Sequence, residues 1–123
     1  MKKIAAITMA RNDEQFLTKW MAYYSQQLGA ENVYVFLDGK DQSVPAGSGK
    51  VNVVVCEKIE AQRAQFDKVR MAFLSQQAAL LFAQGYQLVI GCDTDEFLVV
   101  DPALQLTLAQ YLSQAHIPSS LSA

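Results

Sequence analysis

Basic clusters, acidic tails and long apolar runs are all missing from this sequence. Ten lysines and arginines stand against twelve aspartates and glutamates, for a net charge of −2, and the cations gather nowhere. That excludes a nucleic acid partner, because such affinity rests on clustered Lys and Arg neutralising phosphates. No stretch reaches the ~18 consecutive apolar residues of a transmembrane helix. Cysteine is scarce. Cys56 and Cys92 each close an apolar run, and they read as reduced, buried thiols of a cytoplasmic protein rather than as a disulfide. The single histidine, His116, sits near the end of the chain and is given no catalytic role. Internal repeats and low-complexity segments are absent too.

What is present is globular material. Hydrophobic residues make up 51% of the chain and charged residues 18%, which supplies a core and lacks the signature of disorder. At 123 residues the expectation is a single domain, 1–123. Met1–Ala10 (MKKIAAITMA) imitates a signal peptide. Its apolar run is only about seven residues and is stopped by Arg11–Glu14 (RNDE) with no small-residue cleavage site, so it reads as a buried first strand.

Periodicity organises the rest. Phe16, Leu17, Trp20, Met21, Tyr24 and Leu28 recur at steps of three and four, predicting a helix over Asp13–Leu28 with those residues on its buried face. Asn12, with Gln15 three residues on, would cap it, and Gly29 would close it. Val33–Leu37 (VYVFL) and Val51–Cys56 (VNVVVC) are β-branched or aromatic and predict strands. Between them Asp38–Lys50, with three glycines and a proline, is a loop. A second helix is expected from Gln62 to Gln84, with Phe66, Val69, Phe73, Leu74, Leu80 and Leu81 as its buried stripe and Gly85 as its stop. Leu88–Cys92 (LVIGC) is a fourth strand, with Leu98–Val100 as a further extended stretch. Thr107 and Gln110 form a capping box before a short helix, Leu108–Ala115, and Ile117–Ala123 carries no pattern.

Short, solidly apolar strands alternating with helices predict an α/β fold: a three-layer, Rossmann-like sandwich around a mainly parallel sheet. The expected order places strand four beside strand one, with strands two and three on the other side. Such sheets bind ligands outside the carboxyl ends of their strands, where strand order reverses. Polar residues do collect at those ends: Arg11, Asn12 and Asp13 after strand one, Asp38 to Asp41 after strand two, and Asp93, Asp95 and Glu96 after strand four. A rim so acidic holds a diphosphate only with a cation between them, and Mg²⁺ or Mn²⁺ takes carboxylate and phosphate oxygens together. Asp93-Thr94-Asp95 follows an apolar run and precedes Phe97-Leu98. That context lifts a common D-x-D above a solubilising turn, with Asp93 and Asp95 as the metal residues: one holds the ion while the other reaches it through water or contacts the sugar. Lys68, Arg70 and Arg63 are read as a solvated face of the second helix, and Trp20, Tyr23 and Tyr24 as core rather than as a sugar platform.

Arg11-Asn12-Asp13-Glu14, Phe16-Leu17, Trp20, Tyr23-Tyr24, Val33–Asp38 (VYVFLD) and Asp93–Leu98 (DTDEFL) together resemble family 2 glycosyltransferases. The likeness is to the subgroup with R-N-E…F-L…W…Y…D-x-D-E-F-L and covers about residues 4 to 115. It implies a GT-A fold, a nucleotide-sugar donor (a UDP-sugar foremost), and a divalent cation at the D-x-D. By position it implies that Arg11 and Asn12 lie beside the base, that Asp38 contacts base or ribose, that Asp93 and Asp95 serve the sugar diphosphate and metal, and that Glu96 and Phe97 support the loop. The usual acid after Arg-Asn is here Asp13 followed by Glu14, so the role of either stays open.

An inverting transferase of this kind needs a general base, and downstream of Phe97 only Asp101 is acidic. The expectation is therefore a domain incomplete at its C-terminus, binding donor weakly without transferring it, and dimerising through the apolar face that the missing part would cover. The acceptor, whether saccharide, lipid or protein, is not written in these residues. Rival readings are a non-catalytic nucleotide-binding remnant, a nucleotidyltransferase, and a HAD-type phosphatase, in which Asp93 would be the nucleophile.

Overall fold

The computed structural model describes residues 2–45, 47–60, 63–114 and 120–122. The strands are β1 (Ile4–Ala10), β2 (Val33–Asp38), β3 (Asn52–Cys56), β4 (Leu88–Gly91) and β5 (Ser120–Ser122); the helices are α1 (Glu14–Leu28), α2 (Arg63–Ala83) and α3 (Leu108–Leu112). The sheet order is β3-β2-β1-β4-β5 and every pairing is parallel. Strand four lies beside strand one and strands two and three lie on its other flank, as the sequence predicts. The arrangement is compatible with a Rossmann-like fold.

The central position of β1 follows from its sequence. All of IAAITMA is buried, so both faces of the strand need cover, and only an interior strand has that. Period-two alternation then divides its side chains. Ile4, Ala6 and Ala10 join Val33, Val35, Leu37, Leu88 and Ile90 in a cluster under α1 and α3; Ala5, Ile7 and Met9 join Phe36, Val89, Leu74 and Leu81 in a second cluster under α2. β3 is the outer strand on one side, and its Val54 and Val55 are exposed.

Several expectations are corrected at the level of single residues. α1 buries Leu17, Trp20, Met21 and Tyr24, but Phe16 is 52% exposed. Its N-cap residue is Asp13 and makes no side-chain cap hydrogen bond. Asn12 does not cap because it sits in the left-handed region (φ 55°), a conformation asparagine tolerates better than most residues. Gly29 closes the helix as expected, its N–H donating to the Ser25 carbonyl. In α2, Leu74 and Leu81 are buried while Val69 and Leu80 face outward, so a stripe read at strict helical spacing was drawn too wide. Leu98–Val100 is not a strand; Leu98 and Val100 pack instead against the α1-side cluster. Residues 120–122, where no pattern was read, pair with β4. The capping box at α3 is complete, with Thr107 and Gln110 each satisfying the other's backbone N–H. Both cysteines are free, Cys92 buried and Cys56 only partly so. Gln62, Ala115 and His116 lie outside the described residues.

The two ladders flanking β1 differ in length, and this positions the site. Against β2, β1 stays paired up to Ala10 with Leu37; against β4, pairing ends at Ile7 with Gly91. From β1 the sheet is extended first on one side, by β2 and β3, and then on the other, by β4, so this is where strand order reverses.

Candidate functional site

A cleft of about 420 Å³ opens at the carboxyl ends of the strands, where β4 leaves β1. Its walls come from the end of β1 (Met9, Ala10 and Arg11), from Asp38 of β2, from Asp93, Thr94 and Asp95 after β4, and from the first turns of α1 and α2. Three separate strand ends thus meet in one crevice, as the parallel topology requires.

The D-x-D loop is held from the α1 side. The Trp20 indole N–H donates to the Cys92 sulfur at 3.2 Å, and the Tyr24 hydroxyl accepts from Leu98 N–H at 3.0 Å while donating to the Glu96 carbonyl at 3.3 Å. Tyr23 donates to the Leu98 carbonyl at 2.5 Å. The Phe97 ring lies edge-on to Tyr23 and parallel to Tyr24. Burial pushes the Tyr24, Tyr23 and Cys92 ionisations upward, so all three remain neutral hydrogen-bonding groups. Inside the turn, Glu96 accepts the Asp93 N–H at 2.8 Å and its own N–H returns to the Asp93 carbonyl at 3.0 Å. Glu96 and Phe97 therefore shape the loop, and Asp93 and Asp95 are left exposed at the cleft.

The opposite rim is built on Arg11. Its guanidinium makes a two-pronged bond to Asp41, at 3.0 and 2.9 Å, and donates to the Asp38 carbonyl at 2.6 Å. The same contact holds the Asp41 carboxyl below its ordinary range and raises Arg11 further. Gly39 (φ 117°) lies against this guanidinium so closely that a Cβ would collide with it. Asn12 faces a neighbouring hollow of about 200 Å³ bounded by Gln42, Ser43 and Pro45, and its N–H donates to Gln42 at 3.0 Å. Asp13 borders both spaces.

Asp38 is 1% exposed. Its Oδ1 accepts the Ile59 N–H at 2.7 Å, but among the described residues its buried Oδ2 has no hydrogen-bond partner. An unpaired buried acceptor costs about 1–3 kcal/mol, a cost that an arriving N–H or O–H donor would remove.

Of the residues expected at the site, Arg11, Asp38, Asp93 and Asp95 line one cleft and Asn12 lies just beside it. The cleft is also lined by Phe16 and Phe66, which periodicity places on buried helix faces, by Arg70, expected on a solvated face, and by Asp67, for which the sequence suggests no role. Phe66 and Arg70 stand four residues apart and so share a helix face; that spacing was the available signal. Arg70 is no solvated residue. Its side chain is 16% exposed and contacts Asp93 at 2.5 Å, and it donates to the Met9 carbonyl at 3.3 Å. Among the described residues no three His, Cys, Asp or Glu side chains gather into a group able to hold a metal by themselves, and no helix is long and apolar enough to cross a membrane. No family model, curated protein or solved structure matches this chain.

Proposed function

We propose that this protein binds a nucleotide diphosphate sugar in the cleft and belongs to a sugar-transfer reaction, on a three-layer GT-A-type version of the parallel sheet. The observation that carries the reading is the convergence of Asp38, at the end of β2, with Asp93 and Asp95, after β4, on the walls of one crevice. The motif resemblance makes that juxtaposition meaningful, since it assigns base or ribose to the first residue and the sugar diphosphate to the other two. The unpaired Oδ2 of Asp38 suits a donor group on the nucleoside.

The carboxylates fit a cation that arrives with its ligand. Asp93 and Asp95, with no third His, Cys, Asp or Glu grouped with them among the described residues, would leave the remaining positions of Mg²⁺ or Mn²⁺ to phosphate oxygens and water. When bound there, such an ion neutralises the charge that grows on a departing diphosphate. The chain's own residues do the positioning. Glu96, Tyr24 and Phe97 fix the direction in which Asp93 and Asp95 present their oxygens, and on the opposite rim Arg11 ties the Asp38 main chain to Asp41.

Calorimetry with UDP, with and without Mn²⁺, tests the reading. Binding should require the metal, and Asp95→Asn should weaken it far more than Asp101→Asn. Equal UDP affinity with and without Mn²⁺ would remove the metal bridge. Release of UDP from a panel of UDP-sugars reports transfer or hydrolysis, whereas phosphate trapped covalently on Asp93 would move the assignment to a phosphatase.

A further inference from the structure

Five aspartates and two arginines line the cleft. Arg11 is occupied by Asp41 and the Asp38 carbonyl. Arg70 is the other cation, and its surroundings are unusual. It reaches in from α2 to the stretch of β1 that β4 no longer accompanies. The Cys92 N–H still donates to the Ile7 carbonyl at 3.3 Å. The Met9 carbonyl, two residues on and so on the same side of β1, has no strand beside it, and Arg70 takes the place of that strand. From this anchor the guanidinium also reaches Asp93.

The two partners of this ion pair are unequally free. Arg70 is mostly buried, with a carbonyl at its back, while the Asp93 side chain is 55% exposed. Asp93 is also the first carboxylate of the D-x-D. A divalent cation on that carboxylate, even one taken by its second oxygen, would lie close to the guanidinium bonded to Oδ1, and the two positive charges would repel across that short distance. Once displaced, the guanidinium would remain in the cleft as an unpaired charge needing an anion. A diphosphate bridging to the metal is such an anion, and the planar fork of arginine matches its oxygens.

We infer that Arg70 is an exchangeable counter-ion: it holds Asp93 in the empty cleft, yields that carboxylate to the divalent cation, and then becomes a ligand of the donor's diphosphate. Both halves rest on the reading given above, the first on its cation at the D-x-D and the second on its nucleotide donor. The consequence is a signature of opposite sign. Removing Arg70 should help the metal and hurt the nucleotide, whereas loss of a mere structural strut would weaken both or neither.

The experiment compares wild type with Arg70→Gln and Arg70→Lys. Mn²⁺ alone is titrated by the electron paramagnetic resonance of the free ion, and UDP is titrated calorimetrically at saturating Mn²⁺. For Arg70→Gln, Mn²⁺ should bind at least about threefold tighter and UDP about tenfold weaker, the size of one charge-assisted contact. Arg70→Lys keeps a charge without the fork and should fall between the two on both measures. Unchanged or weaker Mn²⁺ binding by Arg70→Gln overturns the exchange. Tighter Mn²⁺ binding with unchanged UDP affinity overturns the diphosphate half alone. Should wild type bind Mn²⁺ but no UDP, the donor reading fails, and a tightened Mn²⁺ titration would still uphold Arg70 as the counter-ion of Asp93.

Discussion

On the α1 side of the sheet, Leu17, Trp20, Met21 and Tyr24 are all fully buried. On the α2 side, among the described side chains of a longer helix, only Leu74 and Leu81 reach comparable depth, while Val69, Met71 and Leu80 face outward. The difference follows the work of each helix. α1 carries the aromatic residues that grip the D-x-D loop through Cys92, Glu96 and Leu98. α2 reaches the cleft with Phe66, Asp67 and Arg70. One side sets the shape of the loop; the other supplies side chains that face it across the cleft.

The largest test of that contrast is in the core. Trp20→Ala should cost about 3–5 kcal/mol in urea unfolding, and Leu81→Ala about 2. An equal cost at both positions would mean that the two faces are equally well packed. Next comes Tyr24→Phe, which strips the Leu98 N–H of its acceptor and should lose about 1–2 kcal/mol. If the α1 side governs the loop, this variant should also weaken UDP binding at saturating Mn²⁺ severalfold, measured calorimetrically; destabilisation with unaltered binding would uncouple the two. A smaller effect is expected at the far rim and is visible only through pH. The Arg11 contact lowers the Asp41 carboxyl from 3.8, so its contribution to stability is present above that value and fades as pH falls through the lowered one. Thermal unfolding should therefore separate wild type from Asp41→Asn at about pH 6, with wild type the more stable, and the two should converge in strong acid. A difference that persists there would place the effect in packing. Smallest of all, Leu80→Gln on the outward side of α2 should change unfolding by no more than about 0.5 kcal/mol. A larger loss would show that Leu80 is covered in solution, and a sedimentation measurement would then tell whether a second copy of the chain covers it.

Strands β1 to β4 were legible because they are short and mostly apolar, whereas β5 (SLS) has too little apolar character to stand out. Their order was legible as well, since the polar residues at the ends of β1, β2 and β4 make sense only if those ends meet. Helix faces were less so. Phe16 and Leu17 are adjacent and equally apolar, yet one lies in the core and the other on the cleft; hydrophobicity alone cannot separate a buried phenylalanine from one that awaits a ligand. Arg70 was misread for the complementary reason. A cation on a helix is usually solvated, and what recruits this one is a backbone carbonyl on another element, which leaves no mark in the sequence. The left-handed turn at Asn12 displaced the expected cap in the same way, through backbone geometry rather than residue type.

The early departure of β4 creates an edge in the interior of a sheet that has neighbours on both sides. Beyond Ile7 one flank of the central strand faces the cleft and not another chain segment. The Met9 carbonyl on that flank, which Arg70 now satisfies, is an acceptor that no point substitution can delete, because it belongs to the polypeptide and not to any side chain. Evolution at this crevice can exchange aspartates, arginines or aromatic rings and so alter what is preferred there. That main-chain acceptor would survive each exchange, as long as β4 ends before β1 does.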